Sequence, residues 1–206
     1  MATGHVFLID DDHGLRASIR DLLSFAGYRV QAWENARSFL DALPMIAPAV
    51  VLTDMRMPGL SGVEMHAELV RRGRAFPVIY LSGESTVPQT VQAMKLGAFD
   101  FLTKPFSREQ LLGVVAAALE HDRIAMQSLI RKAQFDEARA HLSPRERQVH
   151  SLLIKGYSNS ELVDALGISL PTAKQYKAEV MRKLGARSLA DLIALAHPSD
   201  ASAPAL

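Results

Sequence analysis

The chain has no cysteine among its 206 residues. That excludes a disulfide framework, a thiolate metal site and a thiol nucleophile, and it leads us to expect a cytoplasmic protein. Long apolar runs are missing as well. The longest is Val114–Leu119, or from Leu111 if Gly113 is admitted, far below the ~18 residues of a spanning helix. No basic-then-apolar leader opens the chain, so neither a secretion signal nor a membrane partner is expected. Neither charge is in excess, with 23 Lys+Arg against 22 Asp+Glu. With 49% hydrophobic and 22% charged residues, the composition excludes a disordered, collagen-like or low-complexity protein. The length allows one large domain or two small ones, each with a core of its own.

The balanced total hides an asymmetry. Residues 1–120 carry 11 basic and 13 acidic side chains, 121–141 carry 4 and 3, and 142–206 carry 8 and 6. An acidic front and a basic back are compatible with a nucleic-acid-binding end, although two units of charge decide little alone.

In the front part, short apolar runs alternate with amphipathic stretches. His5–Ile9, Tyr28–Trp33, Ala49–Thr53, Pro77–Leu81 and Asp100–Thr103 read as strands. The third and fourth are almost wholly apolar, as central parallel strands covered on both faces require. Helical stretches lie between them. Ser61 to Glu64 and Ser107 to Gln110 have capping-box spacing, and Gly27, Gly73 and Gly97 stand where helices end. Five β-α units predict an α/β, flavodoxin-like, doubly wound five-stranded parallel sheet, whose ligands bind at the carboxyl ends of the strands.

After about residue 141 the strand pattern stops. Ser143-Pro144-Arg145-Glu146 and Ser158-Asn159-Ser160-Glu161 are capping boxes, and Ser169 and Ser188 open two further helical stretches. Four capped helices predict a small all-α domain, and 199–206 reads as a flexible tail. In the connector, Val115, Leu119, Asp122, Met126, Leu129 and Ala133 recur at steps of three and four. This is either the last helix of the front domain running on as a coiled-coil linker, or a helix ending near residue 121 followed by a flexible segment.

On such a sheet, separated residues converge on one edge. Asp10, Asp11 and Asp12 follow the first strand, Asp54 the third and Lys104 the fifth, while Ser82 ends the fourth. Close carboxylates repel one another and suit a hard divalent cation, and all-oxygen ligands with room for water suit Mg²⁺. A lysine and a hydroxyl beside the metal complete the parts for placing a phosphoryl group on a carboxylate. Singly, each has a plain reading. Asp12 caps a helix, Ser82 and Asp54 enter turns, and Lys104-Pro105 forms a surface turn that admits a cis peptide.

The runs Phe7-Leu8-Ile9-Asp10-Asp11-Asp12, Leu52-Thr53-Asp54-Met55-Arg56-Met57-Pro58-Gly59, Leu81-Ser82-Gly83 and Phe101-Leu102-Thr103-Lys104-Pro105 resemble the receiver domains of two-component response regulators, over residues 5–120. The resemblance implies that Asp54 accepts a phosphoryl group from a sensor histidine kinase. It also implies that Asp11, Asp54 and the main-chain carbonyl of Arg56 hold Mg²⁺, with Asp10 acting through water. Lys104 then pairs with the phosphoryl oxygens, Ser82 is the switch hydroxyl and Phe101 the aromatic switch. Serine at 82 and phenylalanine at 101 replace the commoner threonine and tyrosine.

In the back part, Ala173, Tyr176, Val180 and Leu184 form one apolar stripe, and Lys174, Gln175, Lys177 and Arg182 lie off it. That polar face is either a solvated helix surface or a surface for DNA phosphates and base edges. The run from Leu142-Ser143-Pro144-Arg145-Glu146, through Gly156-Tyr157-Ser158 and Leu166-Gly167-Ile168-Ser169, to Arg182-Lys183-Leu184 resembles the LuxR-type helix-turn-helix domain, over residues 141–197. By that resemblance Lys174, Gln175 and Ala178 face base edges, and Thr172 and Lys177 contact the DNA backbone, with Arg182 also on the DNA side. Ser160, Ala173 and Tyr176 depart from the family's usual lysine, valine and histidine.

Together these runs resemble a response regulator of the LuxR-output (FixJ/NarL) type, with a receiver at 1–120, a helical linker at 121–141 and a DNA-binding domain at 142–198. The resemblance implies a homodimer on phosphorylation, double-stranded promoter DNA and RNA polymerase as partners, and no enzymatic turnover beyond self-phosphorylation and slow autodephosphorylation. Two rivals remain: a pseudo-receiver that switches without phosphate, and a phosphohydrolase of the haloacid dehalogenase kind. The latter wants a second aspartate two positions after the first, where this chain has Arg56.

Overall fold

Every strand of the front unit is parallel to its neighbours, because a helix carries the chain back between each strand and the next. The computed structural model describes residues 4–83 and 87–197, in two compact units, Met1–Gln127 and Ser128–Leu206. The first unit runs β1 (His5–Ile9), α1 (His13–Phe25), β2 (Arg29–Trp33), α2 (Ala36–Ala42), β3 (Ala49–Asp54), α3 (Gly62–Arg71), β4 (Val78–Ser82), α4 (Val87–Lys95), β5 (Asp100–Thr103) and the start of α5 (Arg108–Ala140). The strand order β2-β1-β3-β4-β5 has its switch point between β1 and β3, where a ligand crevice is expected.

Both faces of the sheet are covered, which explains why its central strands are apolar throughout. Phe7, Ile9, Val51, Val78 and Tyr80 face one core with α2, α3 and α4. Val6, Leu8, Val50, Leu52, Ile79 and Leu81 face the other with α1 and α5. The strand bounds differ from the sequence pattern in a way that matters at the site. β3 extends to Asp54, which pairs with Leu81, and β4 runs Val78–Ser82 because Ser82 pairs with Thr103. Pro77 has no N–H to give the ladder; its carbonyl accepts from Val51 instead. β2 starts at Arg29, since Tyr28 still closes the turn behind α1 by donating to Leu23. The caps form as their spacing predicts at Ser61/Glu64 and Ser107/Gln110. Gly27, Gly73 and Gly97 all adopt positive φ. The Lys104-Pro105 peptide is cis.

α5 is one helix of 33 residues, so the alternative of a helix ending near residue 121 is not what the chain adopts. The apolar seam is interrupted for a reason the periodicity does not show. Asp122, 1% exposed, accepts the N–H of Ala49 at 2.8 Å and so satisfies the first donor of β3. Burial pushes this carboxyl above its ordinary range. Further along, Leu129 is 58% exposed.

Between α3 and β4 lies a second buried polar pair, His66 Nδ1 and the Tyr80 hydroxyl, 2.9 Å apart. Burial pushes His66 down to about 4, so below pH 6.5 the unfolded chain binds a proton that the folded unit refuses. Stability is therefore complete above pH 6.5 and falls as pH drops toward 4, by roughly 3 kcal/mol from this group. Urea unfolding at pH 7 and pH 4.5 should show that loss in the wild type and a flatter dependence in His66→Gln. Equal slopes in the two proteins would refute the assignment.

The second unit consists of the end of α5 with α6 (Pro144–Leu153), α7 (Asn159–Leu166), α8 (Leu170–Lys183) and α9 (Leu189–Ala196). Both capping boxes are formed, at Ser143/Glu146 and Ser158/Glu161. Gly167 ends α7 at φ +62°, the left-handed geometry a tight helix–helix turn needs. The core contains Val149, Leu153, Leu162, Ala173, Val180, Leu184 and Leu192, together with Phe135 from α5. Two ion pairs tie these helices to one another. Lys183 reaches Glu146 at 2.6 Å, and Arg131 grips both oxygens of Asp191 at 2.7 Å. The Lys183 ammonium and the Ser143 N–H hold the Glu146 carboxyl down at about 2. The tail 199–206 lies outside the described residues.

Candidate functional site

The carboxyl edge of β1, β3, β4 and β5 brings the separated polar residues together. Asp10 follows β1 and is fully buried; Asp11 beside it is exposed. Asp54 is the last residue of β3 and half-buried. Lys104 follows β5, and its ammonium lies 2.9 Å from Asp54 Oδ2 and 3.2 Å from Asp10 Oδ2. Asp54, Arg56, Ser82 and Lys104, with Met55 and Gly83, line one cleft of about 220 Å³. Asp12 is the N-cap of α1, accepting from Leu15 at 3.0 Å, while its own N–H donates to Asp10 Oδ1 at 2.9 Å.

The electrostatics follow from that packing. Burial raises the Asp10 carboxyl, against the opposing pull of the Asp12 N–H and Lys104. Burial works to lower Lys104, but its hydrogen bond to Asp54 and the charges of both aspartates outweigh it and raise the ammonium. The lysine is therefore a fixed cation held beside Asp54 and aimed into the cleft. Asp10, Asp11 and Asp54 each offer a carboxylate oxygen, all within 4.8 Å of one another. This hard, all-oxygen donor set fits Mg²⁺.

Two supporting features are not singled out by motif spacing. The N–H of Arg56 donates to Asp54 Oδ1 at 3.2 Å, fixing the carboxylate's plane while Lys104 takes its other oxygen. A Cβ on Gly62 would collide with the main-chain oxygen of Asp54 and press on Thr53, so only glycine lets α3 start this close to the site. A glycine directly after a capping serine is the one sequence sign of it. Ser82 is 6% exposed. Phe101 is half-buried and stacks on Tyr80 with ring centroids 5.3 Å apart and planes at 17°. It is not among the residues lining the cleft.

In the second unit, the apolar stripe of α8 is core. Ala173 and Val180 are fully buried and Leu184 is 4% exposed. Lys174, Gln175, Ala178 and Arg182 are exposed, whereas Thr172 and Lys177 are half-buried. The Thr172 hydroxyl lies 2.8 Å from that of Ser169 at the helix start. Arg182 is paired along its own helix with Glu179 at 2.7 Å, an exposed pair of the kind that opens at little cost.

Residues 6–116 match the family described as response regulator receiver domain, and 140–196 match bacterial regulatory proteins of the luxR family. The transcriptional regulatory protein FixJ of Bradyrhizobium diazoefficiens is 41% identical over 193 residues, covering 94% of each chain. Nodulation protein W of the same organism is 40% identical over 96% of this chain and 87% of its own. Among solved structures, the response regulator StyR superposes with a TM-score of 0.77 at 34% identity, over 96% of this chain and all of its own. Full-length FixJ from B. japonicum gives 0.58 at 41% identity, over 94% of this chain and 95% of its own. Among the described residues no helix is long and apolar enough to cross a membrane. With its acidic cleft on a parallel five-stranded sheet and its separate helical unit, the chain belongs to the two-component response regulators, as a transcription regulator of the FixJ/NarL type with a LuxR-type output domain.

Proposed function

We propose that Asp54 accepts a phosphoryl group from a sensor histidine kinase and that the phosphorylated chain pairs with a second copy to bind promoter DNA. The observation that carries this reading is the Lys104 ammonium held between Asp54 and Asp10, at 2.9 and 3.2 Å, over an open cleft. A carboxylate oxygen of Asp54 attacks phosphorus as the phosphorus–nitrogen bond to the kinase imidazole breaks. The electron pair stays on that nitrogen, and because the ring's other nitrogen carries a proton, the leaving group is a neutral imidazole. Lys104 meets the charge on the phosphoryl oxygens, and Arg56 N–H keeps the carboxylate oriented. Mg²⁺, held by Asp11, Asp54 and the main-chain carbonyl of Arg56, with Asp10 acting through water, would neutralise phosphoryl charge. The Ser82 hydroxyl turns to the acyl phosphate, and Phe101 shifts with it, so a local charge change biases a two-state unit.

In the output unit, Lys174, Gln175 and Ala178 read base edges, while Thr172, Lys177 and Arg182 contact the phosphate backbone. Bound at a promoter in the cytoplasm, the dimer acts on RNA polymerase. Intact mass after incubation with Mg²⁺ and acetyl phosphate should rise by about 80 Da, one phosphoryl group. The same sample should bind DNA selected from a random pool more tightly than unmodified protein does. A mass that never changes, with DNA binding that still switches, would favour the pseudo-receiver. Acetyl phosphate consumed without any adduct would favour a hydrolase.

A further inference from the structure

Leu170 is the first residue of α8, directly after the Ser169 cap, and it is 45% exposed. Among the described residues of α6 to α9 it is the one large apolar side chain left exposed, and it takes no part in the core of the second unit. A helix repeats its direction nearly every four residues, so Leu170, Lys174 and Ala178 form one row along α8. All three are exposed. The row turns away from the stripe of Ala173, Val180 and Leu184 that is buried in the core. Its cation, flanked by Lys177 and Arg182, is attracted to an anionic backbone. Its apolar ends match nothing in a phosphate backbone. The major groove, however, displays one apolar group, the C5-methyl of thymine. The N-terminal residues of a recognition helix are those that reach base edges.

We infer that Leu170 is a specificity-determining residue that packs on a thymine methyl beside the base pair contacted by Lys174. This rests on the DNA-binding reading of α8 and adds a base preference to it. The leucine contributes by removing both apolar groups from water, so its effect is confined to one base per half-site and does not depend on salt.

The test uses the full chain and the operator recovered by selection, with deoxyuridine replacing thymidine one position at a time. Deoxyuridine lacks only the methyl group. One position per half-site should cost the wild type about fourfold in affinity, the worth of one buried methyl, and should cost Leu170→Ala nothing further. The salt dependence of binding should be the same in both proteins. The assignment is overturned if no thymine behaves in this way. It is also overturned if the penalty persists in Leu170→Ala, which would point to Ala178, or if Leu170→Ala changes dimerisation alone. Failure to select any operator would overturn the DNA-binding reading itself, a result distinct from a selected operator insensitive to deoxyuridine.

Discussion

Asp54→Asn is expected to gain no mass in Mg²⁺ and acetyl phosphate, and its DNA affinity should stay at the level of unmodified protein. The substitution keeps the shape of the side chain and removes its charge. An amide has neither a free anionic oxygen to attack phosphorus nor the charge that holds Lys104 at 2.9 Å. Lys104 keeps Asp10 at 3.2 Å, and the Arg56 N–H still finds an amide oxygen, so the first unit should stay folded and cooperative. Intact-mass measurement beside an unfolding curve separates loss of chemistry from loss of structure. An adduct of undiminished yield in Asp54→Asn would move the acceptor to Asp10 or Asp11, the other carboxylates of the cluster.

Phe135→Ala should lower the stability of the second unit by about 3–5 kcal/mol. Phe135 is 1% exposed and packs with Leu142, Val149 and Leu153, its ring 6.1 Å from that of His150. A unit of this size holds a margin of only about 3–5 kcal/mol, so the loss is comparable to all of it. Hydrogen exchange on the full chain reads the effect locally. Amides of α6 to α9 should lose protection while those of β1 to β5 keep theirs. Unchanged protection in α6 to α9 would show that Phe135 is not part of that core. The residue lies before the matched luxR-family segment, which begins at residue 140, and the helix pattern alone does not say which unit it joins.

Much of the site is legible along the chain because its parts sit at strand ends, and strand ends are marked by where apolar runs stop. Asp10, Asp54, Ser82 and Lys104 each follow or close such a run, and a parallel sheet must gather those ends on one edge. The helix starts are equally legible, since a capping box satisfies backbone donors three residues away. Phe101 is the instructive case. Its position beside the site follows from β5, but its stacking on Tyr80 follows from the register Tyr80↔Phe101, which no spacing states.

The sequence by itself determined the sheet, the caps, the cluster of carboxylates with its lysine, and the core stripe of α8. All of these are legible from periodicity, from caps reaching a few residues, and from the rule that a parallel sheet gathers its strand ends on one edge. The tertiary structure decided the partners. Asp122 caps a strand 73 residues away, His66 finds Tyr80, Lys183 finds Glu146, and Phe135 joins the second core. Periodicity tells a side chain which way to face, but which group it meets depends on how whole elements pack. The missing cysteines belong to the first kind of knowledge: they exclude thiol chemistry outright, whereas the aspartate proposed to act instead is oriented by contacts that only the fold supplies.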